Sequence, residues 1–387
     1  MSLKNKADSI PTALTTLLFT PFSFFLGSIY KSKQTQFKHF FGLNVDATKS
    51  IEQIELLNEL GCNDILVRIP LKDIKNIQQY KDFIELCKDK NITINIIQNR
   101  EHIENEELLK KDIRLIFSTF KGICNQYQIA NATNENKWGF FSIKEYLSFY
   151  KTIQTIRDEK FPQYSLIGSN IKGFEIKHTV RSLFNYFKIK YDKVGALLYM
   201  NDAKFPEATK FGIFDLKKQI DTIHALSTLA VKSNNELIIP EASWQIKEQK
   251  GVNSNAVSED DYTLFMIRYY LFALGTKKIQ SVFWFELLSS TCGLTYIHKG
   301  ELHKRKAFYV LQNMIKMLNN CEVQKYTNSG GLHVLTVKDT KNKMLDIVWV
   351  EAEGSVELTE FKKVYDIYGK EMKKDIKITK SPIYAYH

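Results

Sequence analysis

Several apolar runs in this chain end on side chains that can do chemistry. IIPEASW (238–244) closes on Glu241 and Trp244, and VFWFELL (282–288) carries Trp284 and Glu286. Other runs end on Asn44 and Asp46, Arg68, Asn99 and Arg100, Asn131 and Asn134, Asn170, and Tyr199 and Asp202. Trp138 lies just beyond Asn134, and Lys204 just beyond Asp202. An indole face suits a sugar ring, because axial C–H groups meet a flat apolar surface while neighbouring amides and charges take the hydroxyls. Carboxyl groups beside such a platform offer acid–base and nucleophilic chemistry. A single tryptophan is ordinarily core, so this reading requires Trp138, Trp244 and Trp284 to converge at one end of the fold.

Convergence needs a scaffold. From Phe40 onward, short runs rich in β-branched residues alternate with longer amphipathic stretches, the signature of βα units on a parallel sheet. Eight runs count as strands, at 40–46, 64–70, 92–100, 125–134, 164–170, 194–202, 236–244 and 280–288. Gly61 stands where the first helix after them should stop, and Ser258 with Asp261 is spaced as a capping pair after the seventh strand. No glycine-rich phosphate loop follows an early strand, which disfavours an open doubly wound sheet. Eight units of roughly 35 residues with right-handed crossovers instead close into a (β/α)8 TIM barrel, here over 37–320. Its functional face is formed by the C-terminal ends of the strands, where the side chains above collect. From Cys321 the pattern changes to short strands with turn signals, such as LHVLTVKD and KMLDIVWVEA, predicting a small antiparallel β-sandwich over 321–387 that packs against the barrel.

The composition narrows the partners. A chain of 387 residues with 44% hydrophobic content can bury a barrel and an accessory domain, which excludes disorder. Lys and Arg outnumber Asp and Glu by 54 to 43, a net charge of +11 that favours an anionic partner. The lysines are scattered, with no RNP-like run, zinc-finger spacing or continuous basic helix, so nucleic acid is not the expected partner. An acidic glycan or an anionic membrane surface fits. The five cysteines are widely spaced with no C-x-x-C pair, which predicts ordinary buried thiols and neither a disulfide framework nor a zinc site; no metal or other cofactor is expected.

The most apolar stretch, TALTTLLFTPFSFFLGSIY (12–30), is flanked by Lys4 and Lys6 before it and Lys31 and Lys33 after it. It is near the lower length limit for a membrane span, contains Pro21 and lacks an A-x-A cleavage site. Three readings of residues 1–36 stand: an uncleaved anchor, an interfacial segment, or core packed on the barrel. The first two place the protein at a membrane, the inner membrane of a bacterium on a side the sequence does not fix, with a membrane-protein partner as a further option.

Taken in order, Arg68, the N-x-x-N-x-x-x-W run from Asn131 to Trp138, Tyr199, IIPEASW and VFWFELL resemble the clan A glycoside hydrolases over about residues 38–320. The β-tail resembles the sandwich often appended to those barrels. The resemblance implies that Glu241 takes the nucleophile position, that Tyr199 holds it, that Arg68 pairs with it, and that Asn131 binds the sugar hydroxyl beside the reacting carbon. One position departs: where N-E-P-N is the family pattern, this chain reads Asn131, Ala132, Thr133, Asn134, so the acid/base carboxylate is replaced by Ala132. A retaining mechanism needs that second carboxyl, and losing proton donation costs about 10²–10⁴-fold. Glu286, Glu135 or Asp202, the last with Lys204 nearby to bind an anionic group, could supply the proton. Alternatively a labile bond, such as that of a ketosidic acidic sugar, needs less protonation.

Two functions of different class follow. One is a glycosidase acting on a bacterial envelope or otherwise acidic glycoconjugate, a carbohydrate or glycolipid, with Glu241, Glu286 and Asp202 as the catalytic set. Its substrate-binding set is Arg68, Asn99, Arg100, Asn131, Asn134, Trp138, Tyr199, Lys204, Trp244 and Trp284. The other is a non-catalytic glycan-binding or scaffold subunit on a decayed barrel, which Ala132 favours. Against it, a carboxylate kept beside Tyr199 and Arg68 carries a desolvation cost that a pure binder has little reason to retain.

Overall fold

A computed structural model describes residues 9–30, 36–200, 205–247, 256–351, 356–358, 361–372 and 376–387. Eight parallel strands close into a barrel in sequential order. They are β1 (Phe41–Val45), β2 (Asp64–Pro70), β3 (Asn91–Ile97), β4 (Gln126–Ile129), β5 (Ser165–Lys172), β6 (Lys193–Leu197), β7 (Leu237–Ala242) and β8 (Ile279–Trp284). Ahead of them runs α1 (Ser9–Ile29), and the barrel is wrapped by α2 (Glu52–Leu60), α3 (Ile77–Leu86), α4 (Arg100–Glu104), α5 (Glu106–Thr119), α6 (Ile143–Lys160), α7 (Ile176–Leu183), α8 (Leu216–Ala230), α9 (Glu259–Thr276) and α10 (Lys306–Leu318). The TIM-barrel reading of the periodicity is met. Gly61 ends α2 at φ 69°, its N–H bonding back to Asn58 O, and Ser258 Oγ accepts from Asp261 N at 3.0 Å to open α9.

Alternation along the strands sorts the side chains. Leu66, Ile167, Ile238 and Phe283 meet in a separate apolar cluster inside the barrel, while the opposite faces pack on the helices in one continuous core. A Cβ at Gly42 would come within 2.5 Å of the Phe283 ring, so only glycine lets β1 pass that plug. β4 and β6 stop earlier than the sequence predicts. Ala130 and Ala132 turn to φ 68° and 45°, which leaves the β region and puts Asn131 on the loop beyond β4; β6 ends at Leu197, so Tyr199 stands on the loop beyond it.

After a hairpin, β9 (Thr295–His298) with β10 (Glu301–Lys304), and α10, the tail forms two antiparallel sheets. One is β11 (Glu322–Ser329), β12 (Leu332–Lys338), β13 (Met344–Val350), β17 (Ile383–Tyr386) and β15 (Lys363–Tyr365) in that order; the other pairs β14 (Val356–Leu358) with β16 (Ile376–Ile378). One face of the larger sheet joins the main core through Leu335, Ile347 and Trp349, and its other face packs Val348 and Ile383 near Ile378. Buried Glu207 ties barrel to tail: it pairs with Arg268 of α9 and accepts from the Trp349 indole at 2.9 Å.

No helix among the described residues is long and apolar enough to cross a membrane. α1 lies along α7 and α8. Phe19 stacks on Phe184 at 4.2 Å, and Lys278 Nζ donates to Gly27 O at 2.7 Å and to Asp221 Oδ1 at 2.6 Å. The opposite face carries Leu18, Phe22, Phe25 and Ile29, spaced four, three and four apart and all exposed. Packing on the barrel thus accounts for one face of this helix and leaves an apolar stripe on the other. The five cysteines are free and buried, as the sequence predicts, and burial pushes the Cys62, Cys124 and Cys321 thiols up to about 12.

Candidate active site

Glu241 reaches the barrel mouth through an irregularity that periodicity alone does not give. Between Ile239 and Ala242 strand β7 takes three steps while β8 takes two, from Val282 to Trp284. Ile239 and Ala242 both face the helices. Simple alternation would send Glu241 outward with Ile239; the extra residue turns it inward instead. There Tyr199 donates to Oε1, and Arg68 and Asn131 donate to Oε2, Asn131 at 3.2 Å. Three donors, one on β2 and two on the loops after β4 and β6, converge on a Glu241 side chain only 11% exposed, beside an Arg68 side chain still 23% exposed. The carboxylate is therefore oriented and charge-paired.

Asn131 is itself fixed. Gln98 accepts from its N–H at 2.9 Å and donates to its C=O at 2.8 Å, and Gln128 donates to Oδ1 at 3.2 Å, which turns the amide NH2 toward Glu241. Neither glutamine stood out in the sequence. Gln98 sits beside the more conspicuous Asn99, and only the register of β3 against β4 brings it to Asn131. Ala132 is buried, with no functional group to offer. Glu135 is held by Lys172 at 3.0 Å and Lys137 at 3.2 Å. Burial pushes its carboxyl up, but the two lysines outweigh that and leave it below the usual range. It is a clamped anion with no proton to give.

Glu286 is the opposite case. Burial raises its pKa above the ordinary carboxylate value, against the opposing pull of Lys49 and Arg68. Lys49 Nζ lies 3.0 Å from Glu286 Oε1 and donates to Leu288 O at 2.8 Å, a partner that sequence reading missed. Arg68 thus stands between Glu241, which it bonds, and Glu286, whose charge it feels. Its guanidinium lies 4.3 Å from the centre of the Phe285 ring.

Other predicted residues go elsewhere. Trp284 is fully buried, stacks with Trp244 at 5.8 Å and donates its indole N–H to Tyr262, so both indoles are helix-side core rather than sugar platforms. Strand parity is the reason: Phe283 points into the barrel, Trp284 out, and Phe285 in again, so the ring at the site is Phe285. Asn99 caps α4 by accepting from His102 N, and Arg100 forks onto Glu145 at 2.9 and 3.0 Å and stacks on Phe141. Asn134 exchanges bonds with the Lys172 backbone. These three hold loops together. Trp138 is half-buried on the turn Asn136–Trp138 and, among the described residues, stacks on no other ring. Asp202 and Lys204 lie outside the described residues.

No protein-family model and no curated protein matches the chain. Solved structures match its fold. A family 39 glycoside hydrolase from Bacteroides cellulosilyticus WH2 superposes with a TM-score of 0.71 at 13% identity, covering 90% of this chain and 81% of that one. A family 51 arabinofuranosidase from Xanthomonas axonopodis pv. citri gives 0.59 at 11% identity over 92% and 97%. The catalytic domain of the family 30 xylanase C from Talaromyces cellulolyticus gives 0.57 at 8% identity over 91% and 98%. At such identities the likeness is one of fold: the chain shares with these glycoside hydrolases an eight-stranded parallel barrel.

Proposed function

We propose that this chain is a retaining glycoside hydrolase in which Glu241 is the nucleophile and Glu286 replaces the missing strand-four acid. The observation that carries the reading is the set of donors from Tyr199, Arg68 and Asn131 on one mouth-facing carboxylate. Glu241 attacks the anomeric carbon, the bond from that carbon to the leaving oxygen breaks, and the Glu286 proton passes to that oxygen. Water then attacks the glycosyl–Glu241 ester, with the Glu286 carboxylate taking its proton. The raised pKa of Glu286 favours the donor role, whereas Glu135 is held ionised by its lysines. Phe285 and Trp138 supply the ring surfaces. The chain's net charge of +11 supports an acidic glycoconjugate, such as one of a bacterial envelope, as substrate.

The exposed stripe of α1 supports association with a membrane surface, lying on it rather than crossing it. Burying what remains exposed of these four side chains contributes roughly 4–7 kcal/mol at most, enough for reversible attachment when lysines meet anionic lipid. Vesicle co-sedimentation of wild type against Leu18→Asp/Phe25→Asp tests this; equal partitioning ends it.

The test of catalysis compares wild type with Glu241→Gln on aryl glycosides and acidic envelope glycolipids, reading product configuration by NMR. Retained configuration in wild type and loss of turnover in Glu241→Gln are expected. Equal turnover by both excludes Glu241 as nucleophile, and binding without turnover by either protein moves the site to glycan capture.

A further inference from the structure

Away from the barrel mouth, the tail domain forms a hollow of 840 Å³ between the C-terminal end of α10, the β12–β13 hairpin, β15 and the end of β17. Lys316, Lys341, Lys343, Lys362 and Lys363 line it, all exposed. Among the described residues none of the five takes part in an ion pair. The one carboxylate in the lining, Asp339, spends an oxygen on the hairpin by accepting from Lys341 N and Lys343 N, each at 2.8 Å. Five ammonium groups against the single Asp339 carboxylate leave the lining with an excess of positive charge. Tyr365 and Tyr386 stand in the same hollow, ring centres 6.2 Å apart and edge to face, giving it an aromatic wall with hydroxyl groups.

We infer that this hollow is a second binding site, for a linear acidic glycan. Lysines are point charges without the fixed fork of arginine, so they suit spaced anionic groups along a chain better than one planar carboxylate or phosphate. The volume is in the range that holds a ligand of several rings, far more than one anion needs. The tyrosines add the flat surface a sugar uses. A carbohydrate is favoured over the other polyanions because the same chain carries a glycosidase-like barrel, so the choice of ligand rests on the proposed function while the anion site does not. Held there, an acidic polymer would be kept beside the enzyme between cleavage events, raising its effective concentration at the mouth.

The experiment uses the full chain and titration calorimetry at low and physiological salt. The probes are an oligogalacturonate, a neutral xylo-oligosaccharide of equal length, single-stranded oligothymidylate and phosphatidylserine vesicles. Wild type should bind the oligogalacturonate, more weakly as salt rises, and should not bind the neutral chain. Lys341→Glu/Lys362→Glu should weaken that binding about tenfold or more, as should Lys316→Glu/Lys363→Glu, which draws on other elements and guards against a local folding defect. Glu241→Gln should bind at the hollow like wild type, so failure of the catalytic proposal leaves this result legible. Unchanged affinity in both lysine variants, or no binding by wild type, overturns the site; tighter binding of the oligothymidylate or the vesicles overturns the glycan assignment.

Discussion

Removing Arg68 while keeping Glu241 should cost more than removing both. In wild type the Glu241 side chain, 11% exposed, has one cationic donor and two neutral ones on its carboxylate. Breaking a buried ion pair from one side costs about 3–5 kcal/mol, because the remaining charge is left desolvated. Arg68 is still 23% exposed, so water partly fills its place in Arg68→Met, and the figure comes down to about 2–3 kcal/mol, including the lost stacking on Phe285. Glu241→Gln alone leaves an amide among donors, at about 1 kcal/mol. In the double variant the stranded anion no longer exists, and the penalty of Arg68→Met should shrink to about 1 kcal/mol or less. A chain of 387 residues unfolds with an entropy of roughly 0.8 kcal/mol per degree, so the expected losses in Tm are about 3 °C for Arg68→Met, about 1 °C for Glu241→Gln and about 2 °C for both. Differential scanning calorimetry of the four proteins at pH 7 measures this, and a double variant that loses the full sum would refute a direct pair between the two side chains.

Tyr199→Phe removes a donor from Glu241 Oε1, and a hydrogen bond to a charged group is worth about 1.5–3 kcal/mol, so kcat/KM should fall about 10–100-fold and Tm by about 2–4 °C. Glu286 has a raised pKa, so its protonated form supports both folding and proton donation at acid pH, and both are lost as pH rises through its folded-state value. Lys49→Met takes away a cation that holds that value down, and the alkaline limb of the pH–kcat/KM profile should move to higher pH; a shift to lower pH, or none, contradicts the Glu286 assignment. Lys278→Met cuts both bonds that latch Gly27 and Asp221, and limited proteolysis should then release the α1 region at lower protease concentration while the barrel stays resistant.

The order and number of βα units could be read from the sequence because burial on both faces of a parallel strand leaves dense β-branched runs, and the Gly61 and Ser258 signals are local chemistry. What could not be read depends on parity and register. The sequence puts Trp284 beside Glu286 and invites both into one site, yet their strand sends the indole to the helices. Glu241 reaches the mouth because of one extra residue in β7, visible only once β7 is aligned with β8. Asn99, Arg100 and Asn134 are polar residues at strand ends, as binding residues would be, and were indistinguishable from them until their loop partners Glu145, His102 and Lys172 were in place.

On the proposed mechanism, with Ala132 in the position of the strand-four acid, the geometry of the reaction changes as well as its inventory. A proton donor from β4 would lie across the mouth from β7, whereas Glu286 follows β8, the strand hydrogen-bonded to both β7 and β1. On the proposed mechanism the leaving oxygen must therefore face the β8–β1 side, where Lys49 and Arg68 already stand. Those two cations serve opposite needs: each lowers the affinity of Glu286 for the proton it must deliver, and each can neutralise an anionic substituent on the departing group. A neutral leaving group would gain nothing from them and would meet a weakened acid, but an acidic one, once seated, offsets the positive field and lets burial reassert the higher pKa of Glu286. Charge on the substrate would then be part of what arms the donor, which is a physical reason for an acidic glycan to be processed faster here than a neutral one of the same shape.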